Sequence, residues 1–388
     1  MKIALVCPYN MLELSGGVSE VVTHLRDELV KRGHEVKIIT PRPAGFKGKL
    51  PKDYIFLGTS AKFNAGLATD GTWTYDIEAE EISRVLNSEK FDVINFHEPW
   101  APILARQILA LSDTAHVGTF HANLVDSVAA KSLVNVFFTY GKGIGDKLDI
   151  ITAVSPAPAA VFLNKAPDHR LAKSIRYVPN GIDLSKYRTR PASAVKNPKQ
   201  KTILYVGRLE GRKGVKYLIK AYHELTSKKD DVQLLIAGAG PDEDKLRQYV
   251  KDNEIPRVTF LGRISEADKI RHLHKADIAC YPSHRGESFG IVLLEAMAAG
   301  LPTVAGDNLG YQSVMTGLGA LSLVNPQDII DFSRRLEVFL YQPELRKIWI
   351  DWAEKYVEQF DWPKVAQMYE QAYEKAIARH EKIHAKAS

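Results

Sequence analysis

Short apolar segments alternate with longer amphipathic segments along this chain, and the alternation runs through it twice. Most of the short segments end at Gly, Pro, Ser or His, as buried strands do when helices connect them in a parallel sheet. The pattern predicts an α/β fold of two Rossmann-like, doubly wound parallel-sheet domains that face a central cleft. The predicted strands are residues 3–7, 36–40, 93–96, 117–120, 150–154 and 175–178 in the first domain and 202–206, 232–237, 258–261, 278–281, 303–305 and 321–324 in the second.

A polar segment at residues 183–201, interrupted by two prolines, separates the two sets of strands. It has no periodicity typical of a helix or a strand, so we place the domain boundary there. Residues 1–183 are predicted to form the amino-terminal domain and residues 184–361 the carboxyl-terminal domain. The segment 362–388 begins as a helix with a proline in its first turn, and it is long enough to cross back onto the first domain.

The composition is that of an ordinary globular protein, with 45% hydrophobic and 25% charged residues. The net charge of +6 is not concentrated in a basic tail or arm, so we expect no nucleic-acid partner. Cys7 and Cys280 form neither a disulfide framework nor a metal-ligand pattern, which indicates a reducing compartment and no metal ligands. Without a signal peptide or a membrane-spanning run, the chain is expected in the cytoplasm, and peripheral attachment to the inner face of the cell membrane stays open.

A glycine pair, Gly16 and Gly17, lies between the first predicted strand and the first predicted helix, whose apolar stripe begins at Val18. Two interpretations are open. The pair makes a tight turn, or its N–H groups and the positive end of the helix bind a phosphate.

Two histidines, His97 and His121, stand at the ends of neighbouring predicted strands, where ligand sites of such sheets lie. His121 is either a site residue or an ordinary loop residue. His97 is either a second wall of the same pocket or a strand cap.

The loop 207–214 follows the first strand of the second domain and carries three cations, Arg208, Arg212 and Lys213. It is either a solvated basic loop or a clamp for a diphosphate. Arg offers a planar fork of donors and Lys a compact charge, and both suit phosphate oxygens.

Two glutamates, Glu287 and Glu295, are separated by seven residues in the most specific motif of the chain. The segment 289–299 predicts a buried helix, so Glu295 needs a partner, either the hydroxyl pair of a ligand or a structural arginine. Glu287 precedes the helix and can face a ligand. The residues between them that begin the helix offer N–H groups to phosphate oxygens, and these are Phe289, Gly290 and Ile291.

Together these segments resemble the retaining GT-B glycosyltransferases, which use nucleotide-sugar donors, over nearly the whole chain. The glycine pair and residues 119–121, 178–183, 207–214 and 287–295 carry this likeness. Within that family the chain is most similar to bacterial phosphatidyl-inositol mannosyltransferases, through residues 7–9, 16–18, 97–99 and 286–292.

The resemblance implies a role for each matched position. In the donor site the diphosphate would be held by the backbone of Gly16 and Gly17 and by the side chains of Arg208 and Lys213. Glu295 would hold the ribose, and Glu287 would hold the transferred sugar. The base would lie against Arg263 and Ile264. His121 would contact the sugar near the scissile bond, so the implied catalytic residues are His121, Arg208, Lys213 and Glu287. The implied acceptor site consists of Tyr9, Ser19, Phe63, Asn64 and His121.

The resemblance also implies an activity: transfer of a hexose, with mannose favoured, to a hydroxyl acceptor such as a phosphatidyl-inositol-type headgroup. GDP-mannose is favoured over a UDP-sugar, and no cofactor or metal is expected. Two departures keep a small soluble acceptor open: the segment 68–81 has five acidic and no basic residues, and Ser19 replaces a glutamine of the family. A nucleotide-sugar epimerase on the same scaffold is a further alternative. The amphipathic segment 132–147 either contacts an anionic membrane or is a core helix.

Overall fold

The computed structural model describes residues 1–12, 16–63, 71–101, 103–122, 143–165 and 174–387. The chain divides into two units. Unit 1 consists of Met1–Asn180 with Trp362–Ser388, and unit 2 consists of Gly181–Asp361. The division therefore falls just before the boundary expected from the sequence, and the last helix belongs to unit 1.

Strands and helices alternate through both units. The strands are β1 (Lys2–Val6), β2 (Glu35–Pro43), β3 (Tyr54–Phe63), β4 (Gly71–Tyr75), β5 (Val93–His97), β6 (Ala115–Phe120), β7 (Ile150–Ala153), β8 (Arg176–Tyr177), β9 (Lys201–Val206), β10 (Val232–Ala237), β11 (Val258–Gly262), β12 (Ile278–Tyr281), β13 (Thr303–Gly306) and β14 (Leu323–Val324). The helices are α1 (Gly17–Lys31), α2 (Ala79–Glu89), α3 (Leu104–Leu111), α4 (Pro156–Lys165), α5 (Leu184–Arg188), α6 (Val215–Thr226), α7 (Glu243–Asp252), α8 (Glu266–Lys275), α9 (Ile291–Ala298), α10 (Leu309–Gln312), α11 (Ile329–Tyr341), α12 (Pro343–Tyr356) and α13 (Trp362–Ala387).

Unit 1 contains a sheet of eight strands in the order β4-β3-β2-β1-β5-β6-β7-β8. All neighbouring pairs are parallel except β3 and β4, which are antiparallel at one edge. The sequence analysis missed these two strands. The second half of β3 is rich in small and polar residues, and β4 lies within the acidic segment 68–81.

The core of unit 1 lies on both faces of this sheet, because successive side chains of a buried parallel strand point to opposite faces. Ile3 and Leu5 of β1 pack with α1 and α13 on one face. Ala4 and Val6 pack with α2 and α3 on the other face. Burial of α13 in the first of these layers makes it part of the core of unit 1.

Unit 2 contains a sheet of six strands in the order β11-β10-β9-β12-β13-β14, in which every pair is parallel. The predicted Rossmann-like sheets are therefore confirmed in both units. The boundary segment contains one element that the sequence analysis did not predict: α5, which the Asp183 side chain caps by accepting a hydrogen bond from the Lys186 N–H at 3.1 Å.

Each sheet has one point where the strand order reverses, between β1 and β5 in unit 1 and between β9 and β12 in unit 2. Loops that leave the carboxyl ends of strands on the two sides of such a point diverge, and ligands of open α/β sheets bind in the crevice between them. The site residues that follow β1, β5, β9 and β12 lie at these two points. The central cleft between the two domains stays a prediction.

In the part of the chain that the structure describes, no helix combines the length and the apolar character that a membrane crossing requires.

Candidate functional site

The loop that follows β9 is held by ion pairs, so the interpretation as a solvated loop does not describe it. Lys213 Nζ donates to Glu287 Oε1 at 2.7 Å, and Arg212 Nη1 lies 3.4 Å from the same oxygen. Arg212 also donates to the carbonyl of Gly286 at 3.0 Å and pairs with Glu210 at 2.7 Å. Two cations of this loop therefore converge on one carboxylate at the reversal point of unit 2.

Arg208 differs from its two neighbours in the loop. Its side chain is 54% exposed, and its Nη2 lies 3.5 Å from Glu210 Oε2. The clamp interpretation included all three cations of the loop, whereas the roles implied by the resemblance gave the diphosphate only to Arg208 and Lys213. The half-buried Arg212, with its two anionic partners and a carbonyl, is absent from those implied roles.

Two glycines allow other segments to approach the loop after β12 closely. Gly214 belongs to the loop after β9, and Gly310 belongs to α10. A Cβ on Gly214, whose φ is +71°, would lie 2.1 Å from the carbonyl oxygen of Pro282. A Cβ on Gly310 would lie 2.3 Å from the carbonyl oxygen of Glu287. Real Cβ atoms do not approach oxygen so closely, so the position of Glu287 requires glycine, which has no side chain, at these two positions.

The helix that begins after Glu287 starts later than the sequence predicts. Gly290 has a φ of +118°, which is incompatible with a right-handed helix, and α9 therefore begins at Ile291. Phe289 is buried, with its ring centroid 6.0 Å from that of Phe360. Gly290 has no side chain, so the first N–H groups of α9 receive no side-chain cap from this residue.

Glu295 is buried in α9, as predicted, and its partner in the structure is a lysine, which neither of the two expected partners, a ligand's hydroxyl pair or a structural arginine, anticipated. Lys269 Nζ donates to Glu295 Oε1 at 2.7 Å, and the Tyr187 hydroxyl lies 2.8 Å from the same oxygen. Burial lowers the pKa of Lys269, but the attraction of Glu295 and its hydrogen bond outweigh that effect, so the pKa is raised. The lysine is therefore charged and compensates the buried carboxylate.

A second carboxylate extends this network. Glu266 lies 2.6 Å from the Tyr187 hydroxyl and 2.9 Å from Lys269 Nζ. Burial opposes the ionised form of Glu266, but hydrogen bonds from Tyr187, Lys186 and Lys269 prevail and lower its pKa to about 2. Glu295 is thus anchored in a charged network, and its role toward a ribose stays a prediction.

Arg263 and Ile264 follow β11 and precede α8, at the same edge of the sheet. Arg263 is exposed and Ile264 is half-buried. The strand β11 is separated from β9 by one strand, so these residues lie to one side of the loop 207–214, called the cation loop below, and not within it.

In unit 1 the two predicted histidines contact each other. His97 Nδ1 lies 2.8 Å from His121 Nε2, and the rings stack with their centroids 5.1 Å apart. Burial lowers the pKa of His121 to about 3, and burial together with His121 lowers that of His97 well below its usual value. Both rings are therefore neutral near pH 7. His97 contacts His121 directly, and whether the pair forms one wall of a pocket stays a prediction.

Uncharged side chains continue this pair into the core. Asn95 Nδ2 lies 3.3 Å from His97 Nε2 and donates to the Tyr373 hydroxyl at 2.8 Å. Thr119 donates to Asn95 Oδ1, also at 2.8 Å. With its amide in this orientation, Asn95 donates to Nε2 of His97, so His97 donates from Nδ1 and His121 accepts at Nε2. The network thus leaves the Nδ1–H of His121 as a donor.

Glu98 is a functional candidate that the sequence analysis quoted only as part of a motif. It is buried, has a φ of +54°, and accepts hydrogen bonds from the N–H groups of His121 at 2.7 Å and Ala122 at 2.6 Å. Burial raises its pKa to about 7, although these two hydrogen bonds oppose the rise. A carboxylate placed directly after an apolar strand was the signal that could have identified it.

The glycine pair before α1 does not form a left-handed turn. Gly16 is extended, with a φ of 163°, a conformation that any residue adopts. Added Cβ atoms on Gly16 or Gly17 would have no described atom within 4 Å. Residues 13–15, directly before the pair, are not described, so both interpretations of the pair stay predictions.

The predicted acceptor residues differ in how far the structure describes them. Tyr9 is half-buried after β1, and burial raises the pKa of its phenol. Ser19 is buried in α1 and hydrogen-bonds the Cys7 thiol. Phe63 ends β3, where its backbone pairs with Gly71. Asn64 lies outside the described residues.

The candidate membrane segment also lies largely outside them, since residues 123–142 are not described. At its described end Ile144 is buried, and Lys147 Nζ donates to the carbonyl of Leu109 at 3.1 Å. This end packs into unit 1, as the core-helix interpretation expects.

Comparisons with known proteins agree with this architecture. Residues 15–186 match the family model of Glycosyltransferase Family 4, and residues 187–356 match that of Glycosyl transferases group 1. A phosphatidyl-myo-inositol mannosyltransferase of Mycolicibacterium smegmatis is 32% identical over 380 residues, which cover 96% of this chain and 94% of that protein.

Among solved structures, the sucrose-phosphate synthase of Thermosynechococcus elongatus superposes with a TM-score of 0.75 at 22% identity, covering 97% of this chain and 99% of that one. The Anabaena HepE structure in complex with UDP and glucose superposes with a TM-score of 0.73 at 18% identity, covering 96% and 98% of the two chains. The fold, the two family models and the full-length relative agree, and the chain belongs to the GT-B glycosyltransferase family.

Proposed function

We propose that this glycosyltransferase moves mannose from GDP-mannose to a hydroxyl of a phosphatidyl-inositol-type headgroup, with retention of the anomeric configuration and without a metal. The observation that carries the donor part is the convergence of Lys213 and Arg212 on Glu287 at the reversal point of unit 2. The name of the full-length relative supports mannose as the sugar and the lipid as the acceptor.

The cation loop suits a diphosphate because its charges are already held in place. Lys213 and Arg212 are half-buried and oriented by Glu287 and Glu210, so little side-chain entropy is lost when an anion arrives. Arg208 is the most exposed cation of the loop and can swing toward a phosphate oxygen. The backbone of Gly16 and Gly17 would supply N–H groups, since a Cβ added at either position would meet no described atom within 4 Å.

In the proposed reaction the bond between the anomeric carbon and the β-phosphate oxygen breaks, and its electron pair stays on the phosphate. The acceptor oxygen forms its bond to the anomeric carbon on the same face, and its proton passes to the leaving phosphate oxygen. Negative charge on the phosphate grows as the bond breaks. Lys213 and Arg208 would stabilise that charge, which lowers the barrier without a metal ion.

The sugar would be held by uncharged and anionic groups. Glu287 would accept hydrogen bonds from its hydroxyls, since a carboxylate only accepts when ionised. The neutral His121 would donate from Nδ1 near the scissile bond, where an imidazolium would repel the developing oxocarbenium ion. The proposed acceptor site, around Tyr9, Ser19, Phe63 and Asn64, belongs to unit 1.

A soluble acceptor is the second candidate, because the acidic segment 68–81 would repel an anionic headgroup. The described part of this segment offers another explanation for the charge. Glu80 and Glu81 lie in the first turn of α2, where acidic side chains favour the positive end of the helix. The lipid acceptor therefore stays the first candidate, and the enzyme would act in the cytoplasm at the inner face of the membrane.

The test is a transfer assay with labelled GDP-mannose and three parallel acceptor conditions. These are vesicles that contain phosphatidylinositol, soluble inositol phosphate, and no acceptor. We expect label to enter the lipid. Label in inositol phosphate alone would favour the soluble acceptor, and a changed sugar without acceptor would indicate an epimerase.

The donor base is tested separately by thermal unfolding in the presence of GDP, UDP and ADP. A ligand that binds only the native state raises the melting temperature with its concentration. We expect GDP to give the largest rise. A larger rise with UDP would overturn the choice of donor and leave the acceptor part of the proposal intact.

A further inference from the structure

Three potential metal ligands meet on the surface of unit 1, away from the carboxyl ends of β1, β5 and β6. They are Asp113, in the connection between α3 and β6, and His380 and His384, near the end of α13. One ligand atom from each residue lies within 4.8 Å of the other two. The two histidines are four residues apart and therefore share one face of the helix.

The separations fit a single transition-metal ion. Asp113 Oδ1 lies 3.4 Å from His384 Nε2 and 3.9 Å from His380 Nε2. In tetrahedral zinc coordination, ligand bonds of about 2.1 Å place neighbouring ligand atoms about 3.4 Å apart. Small rotations of exposed side chains close the remaining difference, because the Asp113 side chain is 83% exposed and that of His384 53%.

A buried carboxylate, Asp149, lies on the other side of His380. Asp149 Oδ2 lies 3.6 Å from His380 Nδ1, while Nε2 of the same ring faces Asp113. Asp149 is itself buried and fixed by the N–H of His116 at 2.9 Å. Histidines that bind metals usually donate their second ring N–H to such a carboxylate, which fixes the tautomer and orients the ring.

From these contacts we propose that Asp113, His380 and His384 bind a divalent transition-metal ion such as Zn²⁺, with water completing the coordination and Asp149 orienting His380. Imidazole and carboxylate ligands in this number suit Zn²⁺ and its neighbours rather than Mg²⁺ or Ca²⁺. The ion would tie the last turns of α13 to the sheet of unit 1. It would take no part in sugar transfer, and the proposal does not depend on the proposed function.

The sequence analysis expected no metal ligands because Cys7 and Cys280 form no metal-ligand pattern. The spacing of four between His380 and His384 was the signal that it missed. The aspartate could not be recognised from the sequence, since it comes from a distant connection.

The test is calorimetric titration of ZnCl₂ into the full chain, purified without a polyhistidine tag and freed of metal by chelation and dialysis. We expect one site per chain. Asp113→Asn and His384→Gln should each weaken binding by at least about 10-fold, because each removes a ligand, and Asp149→Asn should weaken it by about 10-fold. The matched control is His223→Gln, which changes an exposed histidine in the last turn of α6 and should leave the affinity unchanged.

A second measurement checks what the ion does. Zn²⁺ should raise the melting temperature of the wild type and of His223→Gln, and should not raise that of His384→Gln. Circular dichroism of each variant shows whether it is folded. Equal zinc affinity in the wild type and in the variant that combines Asp113→Asn with His384→Gln would overturn the proposal.

Discussion

The carboxyl edges of the two sheets differ in charge. In unit 2 the site is built from ion pairs, with Lys213 on Glu287 and Lys269 on Glu295. In unit 1 the corresponding edge is a chain of neutral groups, because burial keeps His97 and His121 uncharged. Among the described groups of this hydrogen-bonded network, Glu98 is the one whose pKa burial raises to about 7.

This difference matches the two parts of a glycosyl donor. A diphosphate carries charge and gains more during bond breaking, so fixed cations stabilise it. A sugar and an acceptor hydroxyl are neutral, and hydrogen-bonding groups without net charge position them at a smaller desolvation cost. Under the proposed function, the charged edge of unit 2 would handle the leaving group, and the uncharged edge of unit 1 would handle the sugar and the acceptor.

The largest expected effect is on stability, through the ion pair of Lys269 with Glu295 in unit 2. Lys269→Met leaves Glu295 buried without its cation, and we expect the free energy of unfolding to fall by about 3–5 kcal/mol. Urea unfolding measures it. The control is the double variant in which Met also replaces Glu295, which should recover most of the loss. A single variant as stable as the double variant would show that this pair is not the anchor of the charged edge.

The next effect concerns the reaction. Lys213→Ala should lower kcat in the transfer assay by about 10²- to 10³-fold, because it removes a cation from the developing charge on the phosphate. Lys228→Ala, which breaks only an exposed surface pair with Glu224, should leave kcat unchanged. If Lys213→Ala raised KM and spared kcat, the lysine would bind the donor without stabilising its departure.

The third effect is a pH dependence confined to unit 1. The carboxyl of Glu98 has a pKa of about 7 in the folded chain and 4.5 as its ordinary value. Its contribution to stability is therefore complete below pH 4.5 and is lost as the pH rises through 7, when the buried group must ionise. The loss amounts to about 3 kcal/mol.

Glu98→Gln removes this titration and keeps an oxygen that accepts from His121. The free energy of unfolding of the variant minus that of the wild type should therefore grow by about 3 kcal/mol from pH 4.5 to pH 7.5, measured by urea unfolding. Glu224→Gln, which changes a surface carboxylate, should show no such gain. A parallel pH dependence in the wild type and Glu98→Gln would mean that Glu98 ionises freely in the folded chain.

Much of the fold could be predicted from the sequence, because strands buried on both faces form continuous apolar runs. Val232–Ala237 and Ile278–Tyr281 were predicted at their observed bounds for this reason. The strand β4 lies at the edge of the sheet, where a strand is only partly covered, and the second half of β3, which pairs with it, has no continuous apolar run. Their pairing is set by neighbouring backbone and leaves little trace in the sequence.

The residues of the candidate site could be predicted from the sequence better than the contacts between them. The spacing of Glu287 and Glu295 located the loop and the helix of unit 2, but whether Lys269 or an arginine lies opposite Glu295 depends on how α8 packs against α9. In unit 1 the contact of His97 with His121 joins two strands that are neighbours only in the folded sheet. A single sequence gives no measure of such distances.

The placement of α13 has a consequence for biosynthesis. Unit 2 is complete in sequence once the ribosome has passed Asp361, whereas the core of unit 1 lacks Tyr369 and Tyr373 until α13 has emerged. One face of the amino-terminal sheet is therefore covered only in part, by α1, until α13 has been synthesised. A nascent chain arrested before α13 would expose the rest of that face to chaperones, and the synthesis of α13 would cover it.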